Sequence, residues 1–264
     1  MEPAICILGA VREEISGIRR QMTVHQQTKL GKADVWSGSW EGRPIVLVRT
    51  GIGKIRARDA LSQVQGKFRP AMIVSIGYAG GADPRLRVGD LLVADKVLEL
   101  PSADDGKSGN PPPLEIPIDP HLLRQAPREI PSLPASIFSG GLITVEEVVH
   151  DPKLKHEIGI QYSVLAIDME TAALARVARE KNLPFLSIRS ITDTASQELF
   201  DVSSFLEKDG EISRLKAGWY VLTHPASLKS LKNLKDHAQL ATRSLTDFLA
   251  AFLRVKSPNE IGKF

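Results

Sequence analysis

Cysteine is almost absent from this chain of 264 residues, in which Cys6 is the single example. One cysteine excludes an intrachain disulfide, which is typical of proteins in a reducing cytoplasm, and we expect this protein to be cytoplasmic. Cys6 stands in the short apolar run of residues 4–8. We therefore predict a buried structural thiol at this position and not a nucleophile.

Segments that direct a protein to a membrane are also missing. The N-terminus carries no basic region, and its apolar run is shorter than the core of a signal peptide. No uninterrupted apolar run approaches the ~20 residues of a membrane span. The 6 histidines are scattered along the chain. Because they form no pairs at metal-ligand spacing, they predict no metal site.

Positive charge is not concentrated in any one segment. The formal net charge is +3, and the lysines and arginines are spread along the chain. Because nucleic-acid-binding proteins usually present a basic cluster, the sequence predicts no nucleic-acid partner. With 42% hydrophobic and 25% charged residues, the composition is that of an ordinary globular protein.

Apolar runs typical of buried strands alternate with segments of helical pattern through the first 200 residues. The predicted strands are residues 3–8, 33–40, 44–50, 71–76, 90–98, 142–145, 164–167 and 185–191, and the predicted helices are 13–22, 52–68 and 170–181. Such alternation predicts an α/β fold of three layers, αβα, with a central mixed sheet. Residues 102–120, rich in Pro, Gly, Ser and Asp, are predicted to form a surface loop.

The last part of the chain has a different character. Residues 205–264 show no strand pattern, and they combine closely spaced leucines with lysines. We expect an α/β domain over residues 1–204 and a helical C-terminal extension, 205–264, packed on it. An amphipathic face with Trp219 and Tyr220 could alternatively lie on an anionic membrane as a peripheral contact.

Acidic residues follow two of the predicted strands. Asp168 and Glu170 lie in residues 166–173, and Asp193 ends residues 188–193. The carboxyl ends of strands are where α/β sheets bind ligands. Carboxylates that converge at such an edge are suited to cleaving a bond to a sugar.

Five segments, in order, resemble the purine nucleoside phosphorylase and methylthioadenosine/S-adenosylhomocysteine nucleosidase superfamily. They are residues 8–14, 50–54, 75–81 with the following 86–91, 166–173 and 188–193. The resemblance covers about residues 3 to 200. It implies the three-layer nucleoside-phosphorylase-like fold, a nucleosidase or phosphorylase domain over 1–204, and a homodimer with residues 51–68 near the interface. Residues 201–212 and the leucine-rich tail look like the hopanoid-associated phosphorylase branch, which is thought to remove adenine from an adenosylated hopanoid.

This resemblance implies cleavage of the N-glycosidic bond of a small-molecule purine nucleoside, most simply a 5′-modified adenosine, with release of adenine. It implies no metal or organic cofactor, and phosphate is a co-substrate only if the protein is a phosphorylase. The family role that falls on Asp193 is protonation of purine N7. Its place at the end of an apolar strand favours burial and a raised pKa, although an aspartate there can also cap a helix.

Glu170 matches the family residue that binds the ribose hydroxyls, and Met169 matches the residue beneath the ribose and its 5′ substituent. Each has a simpler interpretation, since Glu170 can stabilise the start of a helix and Met169 can pack in the core. Asp168 matches a carboxylate that supports the site. A partner for Arg189 or for a backbone amide is an equally good account of Asp168.

Glu14 resembles the acid that activates water in the nucleosidases, although Glu13 leaves the register open by one residue. The alternative is an exposed acid in the first turn of a helix. Tyr78, Ala79 and Gly80 replace the Ser-Ala-Gly or Ser-Cys-Gly pattern of relatives. The glycines of this segment would let a substrate approach the backbone.

Val149 and His150 occupy the place where nucleosidases carry an aromatic residue that packs on adenine. Valine gives less stacking and a wider slot for the base. We predict that both residues line the substrate site, and His150 fits an ordinary loop histidine better than a catalyst.

The nucleophile can be water or phosphate. Phosphorylases place an arginine where this chain has Ser75, and Glu14 would repel a phosphate dianion, so hydrolysis is slightly favoured. Arg12 and Arg49 near strand ends could rebuild an anion site. A nucleoside-binding protein without catalysis is the other class considered, but it would have no use for a leaving-group acid such as Asp193.

Overall fold

The computed structural model describes residues 3–100, 112–127, 130, 135–198 and 227–255, without the side chains of 227–232 and 255. Over these residues ten strands form one mixed sheet, and six helices accompany it. The strands are β1 Ile5–Gly9, β2 Thr23–Leu30, β3 Ala33–Trp40, β4 Arg43–Arg49, β5 Met72–Gly81, β6 Leu91–Glu99, β7 Leu114–Pro117, β8 Ile137–Thr144, β9 Ala166–Asp168 and β10 Phe185–Asp193. The helices are α1 Arg12–Gln21, α2 Lys54–Phe68, α3 Pro120–Gln125, α4 Pro152–Tyr162, α5 Thr171–Glu180 and α6 Ser227–Val255.

Strand β5 is the centre of the sheet. The strand order is β10-β6-β8-β9-β5-β1-β4-β3-β2, β7 pairs with β6, and β5 also pairs with β10. Strand β5 therefore has three neighbours: β1 and β10 run parallel to it, and β9 runs antiparallel. The predicted mixed sheet is confirmed, and its topology brings the ends of β1, β9 and β10 to one strand.

Helices cover both faces of the sheet. One apolar cluster joins the strands to α2 and α5, for example through Leu61 and Leu174. A second cluster joins the opposite face to α1 and α6, for example through Ile18 and Phe248. The predicted three-layer αβα architecture is confirmed. Cys6 is fully buried in the first cluster, and burial raises the pKa of its thiol, so it has no reactive thiolate.

The predicted strands 33–40 and 44–50 correspond to β3 and β4, which form a hairpin around residues 41–42. Glu41 and Gly42 have φ values of 47° and 72°, as in the tight turn whose twist matches that of the paired strands. An edge strand that the sequence did not reveal, β2, pairs with β3. It is polar on most positions and largely exposed, so it lacks the apolar run that marks a buried strand.

Residues 102–120 are not wholly a loop, as predicted, since β7 lies at Leu114–Pro117 and α3 begins at Pro120. A single side chain of β7, Ile116, is buried, which explains why its apolar pattern was not visible. Residues 101–111 lie outside the described part. Helix α4 was also missed, because only Lys155 and Ile158 of its side chains are buried.

The described part of the C-terminal extension is one helix, α6, which packs against α1 and β10. Its second half buries Leu245, Phe248 and Phe252 completely, so these apolar residues pack on the α/β core, as the simpler interpretation expected. Trp219 and Tyr220, like residues 201–212 that resemble the hopanoid branch, lie outside the described residues. Among the residues described, no helix has both the length and the hydropathy that a membrane span requires.

Candidate active site

The carboxyl end of β5 is the floor of the candidate site. Glycines 77 and 80 of this strand leave room for acids that approach from its two sides. A methyl group at Gly77 would lie 2.9 Å from Oε1 of Glu14, and one at Gly80 would lie 3.0 Å from Oδ2 of Asp193. The glycine segment thus admits protein carboxylates as well as any ligand, and larger residues would displace them.

Glu14 is buried, 5% exposed, whereas Glu13 beside it is exposed. Oε2 of Glu14 accepts hydrogen bonds from the amides of Ala10 (2.6 Å) and Val11 (3.0 Å), and Oε1 accepts one from the amide of Tyr78 (2.9 Å). The side chain therefore bridges the end of β1 and the end of β5. The interpretation of Glu14 as an exposed acid of the first helical turn is wrong.

Burial raises the pKa of Glu14, and the three backbone hydrogen bonds and the charge of Arg189 oppose the rise. A carboxylate whose pKa is raised in this way is a stronger base than an ordinary glutamate. The geometry also leaves one lone pair of Oε1 without a protein donor among the described residues. Glu14 can therefore act as a general base on a small nucleophile.

Asp168 and Arg189 form the most connected pair of the site. Oδ1 of Asp168 accepts from the hydroxyl of Thr144 (2.6 Å), and Oδ2 accepts from the amide of Thr171 (3.0 Å), from its hydroxyl and from Nε of Arg189 (2.9 Å). Nη2 of Arg189 donates to Ser75 (2.9 Å). Asp168 is therefore partner to both Arg189 and a backbone amide, the two alternatives that the sequence left open.

Glu170 stands immediately before α5, but its side chain does not cap that helix. Oε1 instead accepts the amide of Gly53 at 2.8 Å, where φ is 100° at the start of α2. The segment of residues 50–54 therefore orients Glu170, the predicted ribose-binding residue. Burial, and then the charges of Asp168 and Glu14, raise the pKa of Glu170, which is a further sign of a cluster of acids.

Asp193 is the last residue of β10 and is 3% exposed. Its Oδ2 accepts a hydrogen bond from Nζ of Lys155 at 2.5 Å, and Oδ1 accepts one from the hydroxyl of Thr192 at 3.1 Å. Burial raises the pKa of Asp193, against the opposing effects of Lys155, Thr192 and His237. A turn over residues 194–197 follows the strand, so Asp193 is not the N-cap of a described helix.

Lys155 is the functional candidate that sequence reasoning missed. It lies between exposed residues on α4, in a segment of mixed polar character. Its burial is set by the fold, since α4 turns this one lysine towards the end of β10. One indication of this burial was present in the sequence: Lys155 and Ile158 lie three residues apart, so they share one face of a helix.

The residues expected around the base and the 5′ substituent gather at one apolar cluster. Met169 and Val149 are half-buried and pack against the cluster that contains Ile143 and Ile158. His150 follows Val149, is also half-buried, and precedes Asp151, the N-cap of α4. Met169 and Val149 therefore pack on the same apolar cluster, and the ring that residues 149–150 contribute is the imidazole of His150.

Tyr78 divides its contacts between the site and the C-terminal helix. Its amide donates to Glu14, whereas its hydroxyl donates to the carbonyl of Ala238 (3.2 Å) and lies 2.6 Å from the hydroxyl of Thr242. The phenol thus points towards α6. Ala79, the next residue, is buried in the core.

Arg12 and Arg49 line one groove between α1 and the β2–β3–β4 edge, with Arg19 and Trp36. Arg49 is bound to Asp34 through two hydrogen bonds, at 2.6 and 3.0 Å. The groove is not lined by any carboxylate of the site described above. Arg12 and Arg49, which could rebuild an anion site, thus share this groove, where Arg49 is already paired with Asp34. In the described part of the chain, no group of His, Cys, Asp or Glu residues is arranged to hold a metal ion.

Comparisons with known proteins agree on one family. The family model of the phosphorylase superfamily matches residues 4–216. A 5′-methylthioadenosine/S-adenosylhomocysteine nucleosidase of Anoxybacillus flavithermus is 30% identical over 212 residues, which are 77% of this chain and 91% of the relative.

Solved structures share the fold. A 5′-methylthioadenosine/S-adenosylhomocysteine nucleosidase of Neisseria meningitidis, in complex with methylthio-immucillin-A, aligns with a TM-score of 0.74 and 21% identity over 96% of this chain and 99% of that one. Futalosine hydrolase of Helicobacter pylori aligns with a TM-score of 0.71 and 21% identity over 94% and 98%. At this identity the structures show the fold alone.

Proposed function

The chain belongs to the phosphorylase superfamily, and we propose that it hydrolyses the N-glycosidic bond of a purine nucleoside and releases the base. One observation carries the proposal. A carboxyl group held by backbone amides, Glu14, and a carboxyl group held by a lysine, Asp193, meet the same glycine segment of β5 three residues apart. Three residues of strand span about 10 Å, a length comparable with that of a nucleoside.

Asp193 is the acid for the leaving base. When the bond between ribose and purine breaks, negative charge develops on the purine, and a proton delivered to N7 neutralises it. Burial raises the pKa of Asp193, which favours the protonated carboxyl that must give up its proton in the transition state.

Glu170 binds the ribose, with Met169 beneath it. The sugar becomes positively charged as the bond breaks, and a carboxylate that accepts hydrogen bonds from the 2′ and 3′ hydroxyls stabilises this charge. The amide of Gly53 fixes one oxygen of Glu170, and no described residue donates a hydrogen bond to the second oxygen, which leaves it for the sugar hydroxyls. Asp168 supports this region by holding Arg189.

Glu14 takes the proton of a water molecule that attacks the sugar. Hydrolysis is favoured over phosphorolysis because a phosphate dianion would meet the Glu14 carboxylate. The guanidinium whose charge acts on Glu14, that of Arg189, is already bonded to Asp168, Ser75 and Thr171. The position where phosphorylases carry an arginine is Ser75, whose hydroxyl accepts from Arg189.

The substrate is a 5′-modified adenosine. This is supported by the names of the matched relatives, which are methylthioadenosine/S-adenosylhomocysteine nucleosidases. The half-buried apolar residues Met169 and Val149 suit a slot for the base and for an apolar 5′ group, with His150, Ala79 and Gly80 at its edge.

We also expect a homodimer, for which the exposed Ile55 of α2 is an apolar contact. A monomer in sedimentation equilibrium would contradict this expectation.

Adenine release from a panel of 5′-substituted adenosines tests the function. The panel contains methylthioadenosine, S-adenosylhomocysteine and a 5′-alkyl adenosine, each with and without inorganic phosphate. We expect release without phosphate. Release only with phosphate would replace hydrolysis by phosphorolysis, and preference for the long alkyl group would favour a lipid-linked substrate. No release from any member would leave a nucleoside-binding protein as the better account.

A further inference from the structure

Lys155 is one of the two largest fully buried side chains among the described residues, at 1% exposure. Its ammonium donates to Oδ2 of Asp193 at 2.5 Å and to the carbonyl of Gln197 at 2.9 Å. It therefore joins the proposed acid to the turn that follows it. Lys153 and His156, which lie near it on α4, are exposed. Of these three residues, Lys155 alone is turned into the protein.

Stability alone does not account for this pair. Removing two charges from water costs several kcal/mol for each ion, and buried ion pairs are often no more stabilising than well-packed apolar residues. An apolar residue at position 155 could fill the same space against the apolar cluster that includes Ile158. A lysine placed on the acid of the site therefore points to a role in the reaction.

We propose that Lys155 is a positioning residue for proton transfer to the leaving base, acting through Asp193. The ammonium holds Oδ2 of Asp193, which turns Oδ1 towards the purine. This inference rests on the proposed function, and it deepens the account of the same site.

The proton transfer is balanced in the following way. The O–H bond of Asp193 breaks, an N–H bond forms at N7 of the purine, and the electron pair of the broken bond stays on the carboxylate. The resulting negative charge lies 2.5 Å from Nζ of Lys155. The attraction between the two groups is thus stronger after the transfer than before it, and an interaction of that kind lowers the barrier.

Lys155 also sets the strength of the acid. Burial raises the pKa of Asp193, and the charge of Lys155 is the largest effect that opposes it. His237 of α6 faces the same region: its Nδ1 lies 2.9 Å from the carbonyl of Thr192, and it lowers the pKa of Asp193 less than Lys155 does. Without Lys155 the carboxyl would keep its proton to higher pH and be a weaker acid.

The kinetic test compares two leaving groups on the same sugar. Lys155→Met should lower kcat for a purine nucleoside by about 10- to 100-fold, within the range of general acid catalysis. It should leave a 4-nitrophenyl riboside, whose leaving group needs no proton, nearly unchanged. The alkaline limb of the purine pH profile should move to higher pH, and His237→Gln, which keeps Lys155, should move it less. Equal losses on both substrates with an unmoved limb would indicate a merely structural lysine and overturn the proposal.

A second measurement is independent of turnover. The infrared carbonyl band of protonated Asp193, identified by its loss in Asp193→Asn, should disappear at higher pH in Lys155→Met and Lys155→Gln than in the wild type. The same titration in all three proteins would overturn the proposal. If the wild type released no base from any nucleoside, the proposed function would fail, yet the infrared titration would still decide whether Lys155 controls the Asp193 proton.

Discussion

The two ends of the candidate site are built in different ways. At one end, Glu14 is held by amides of the segments that follow β1 and lie in β5. At the other end, Asp193 is held by a lysine of α4 and lies near a histidine of α6. The first end is fixed by the main chain of the sheet, and the second depends on side chains of two covering helices.

This difference has a physical consequence for the two proton transfers. The backbone amides that hold Glu14 remain when side chains are substituted, so the position of Glu14 follows directly from the fold. A lysine side chain has four rotatable bonds and its own charge, so both the position and the acidity of Asp193 can be changed by substitutions that leave the sheet intact. We expect the leaving-group end to be the adjustable part of the site.

The largest effect should come from Asp193→Asn. The amide keeps the size of the side chain and can still accept from Lys155, but it cannot protonate the purine, so kcat should fall by about 10³-fold. Binding of adenine, measured by titration calorimetry, should change little. The contrasting variant is Glu14→Gln: a 4-nitrophenyl leaving group should restore turnover of Asp193→Asn but not of Glu14→Gln. Restoration of both, or of neither, would break the distinction between the two ends.

A large effect on stability is expected from Asp168→Asn. This change leaves the guanidinium of Arg189, 2% exposed, without its charged partner, and breaking a buried pair costs about 3–5 kcal/mol. Urea unfolding followed by circular dichroism measures the change in the free energy of unfolding. The matched control is Glu41→Gln, which breaks the exposed pair with Arg254 and should lower the free energy of unfolding far less, because water and salt screen exposed charges. Similar losses of unfolding free energy in Asp168→Asn and Glu41→Gln would show that Asp168 does not stabilise the fold by pairing with Arg189.

The sequence predicted the acids of the site better than it predicted the lysine that holds one of them, for a physical reason. Asp168, Glu170 and Asp193 could be placed at strand ends because the acids follow apolar runs directly along the chain. Lys155 could not, since its contact with Asp193 spans 38 residues and depends on how α4 packs. Strand β2 escaped for a related reason, because an exposed edge strand carries no apolar alternation.

The smallest effect is expected at Tyr78, which contacts Glu14 through its amide and α6 through its hydroxyl. Its amide binds Glu14 and its hydroxyl binds α6 at Ala238 and Thr242, so Tyr78→Phe removes only the contact with the helix. The free energy of unfolding should fall by about 1 kcal/mol, because the hydroxyl of Thr242 keeps a second acceptor at the carbonyl of Glu13. Turnover should stay within about two-fold, since the amide that holds Glu14 is unchanged. A ten-fold loss of kcat at unchanged stability would instead mean that the phenol acts on the substrate, and the position of α6 would then be part of the chemistry.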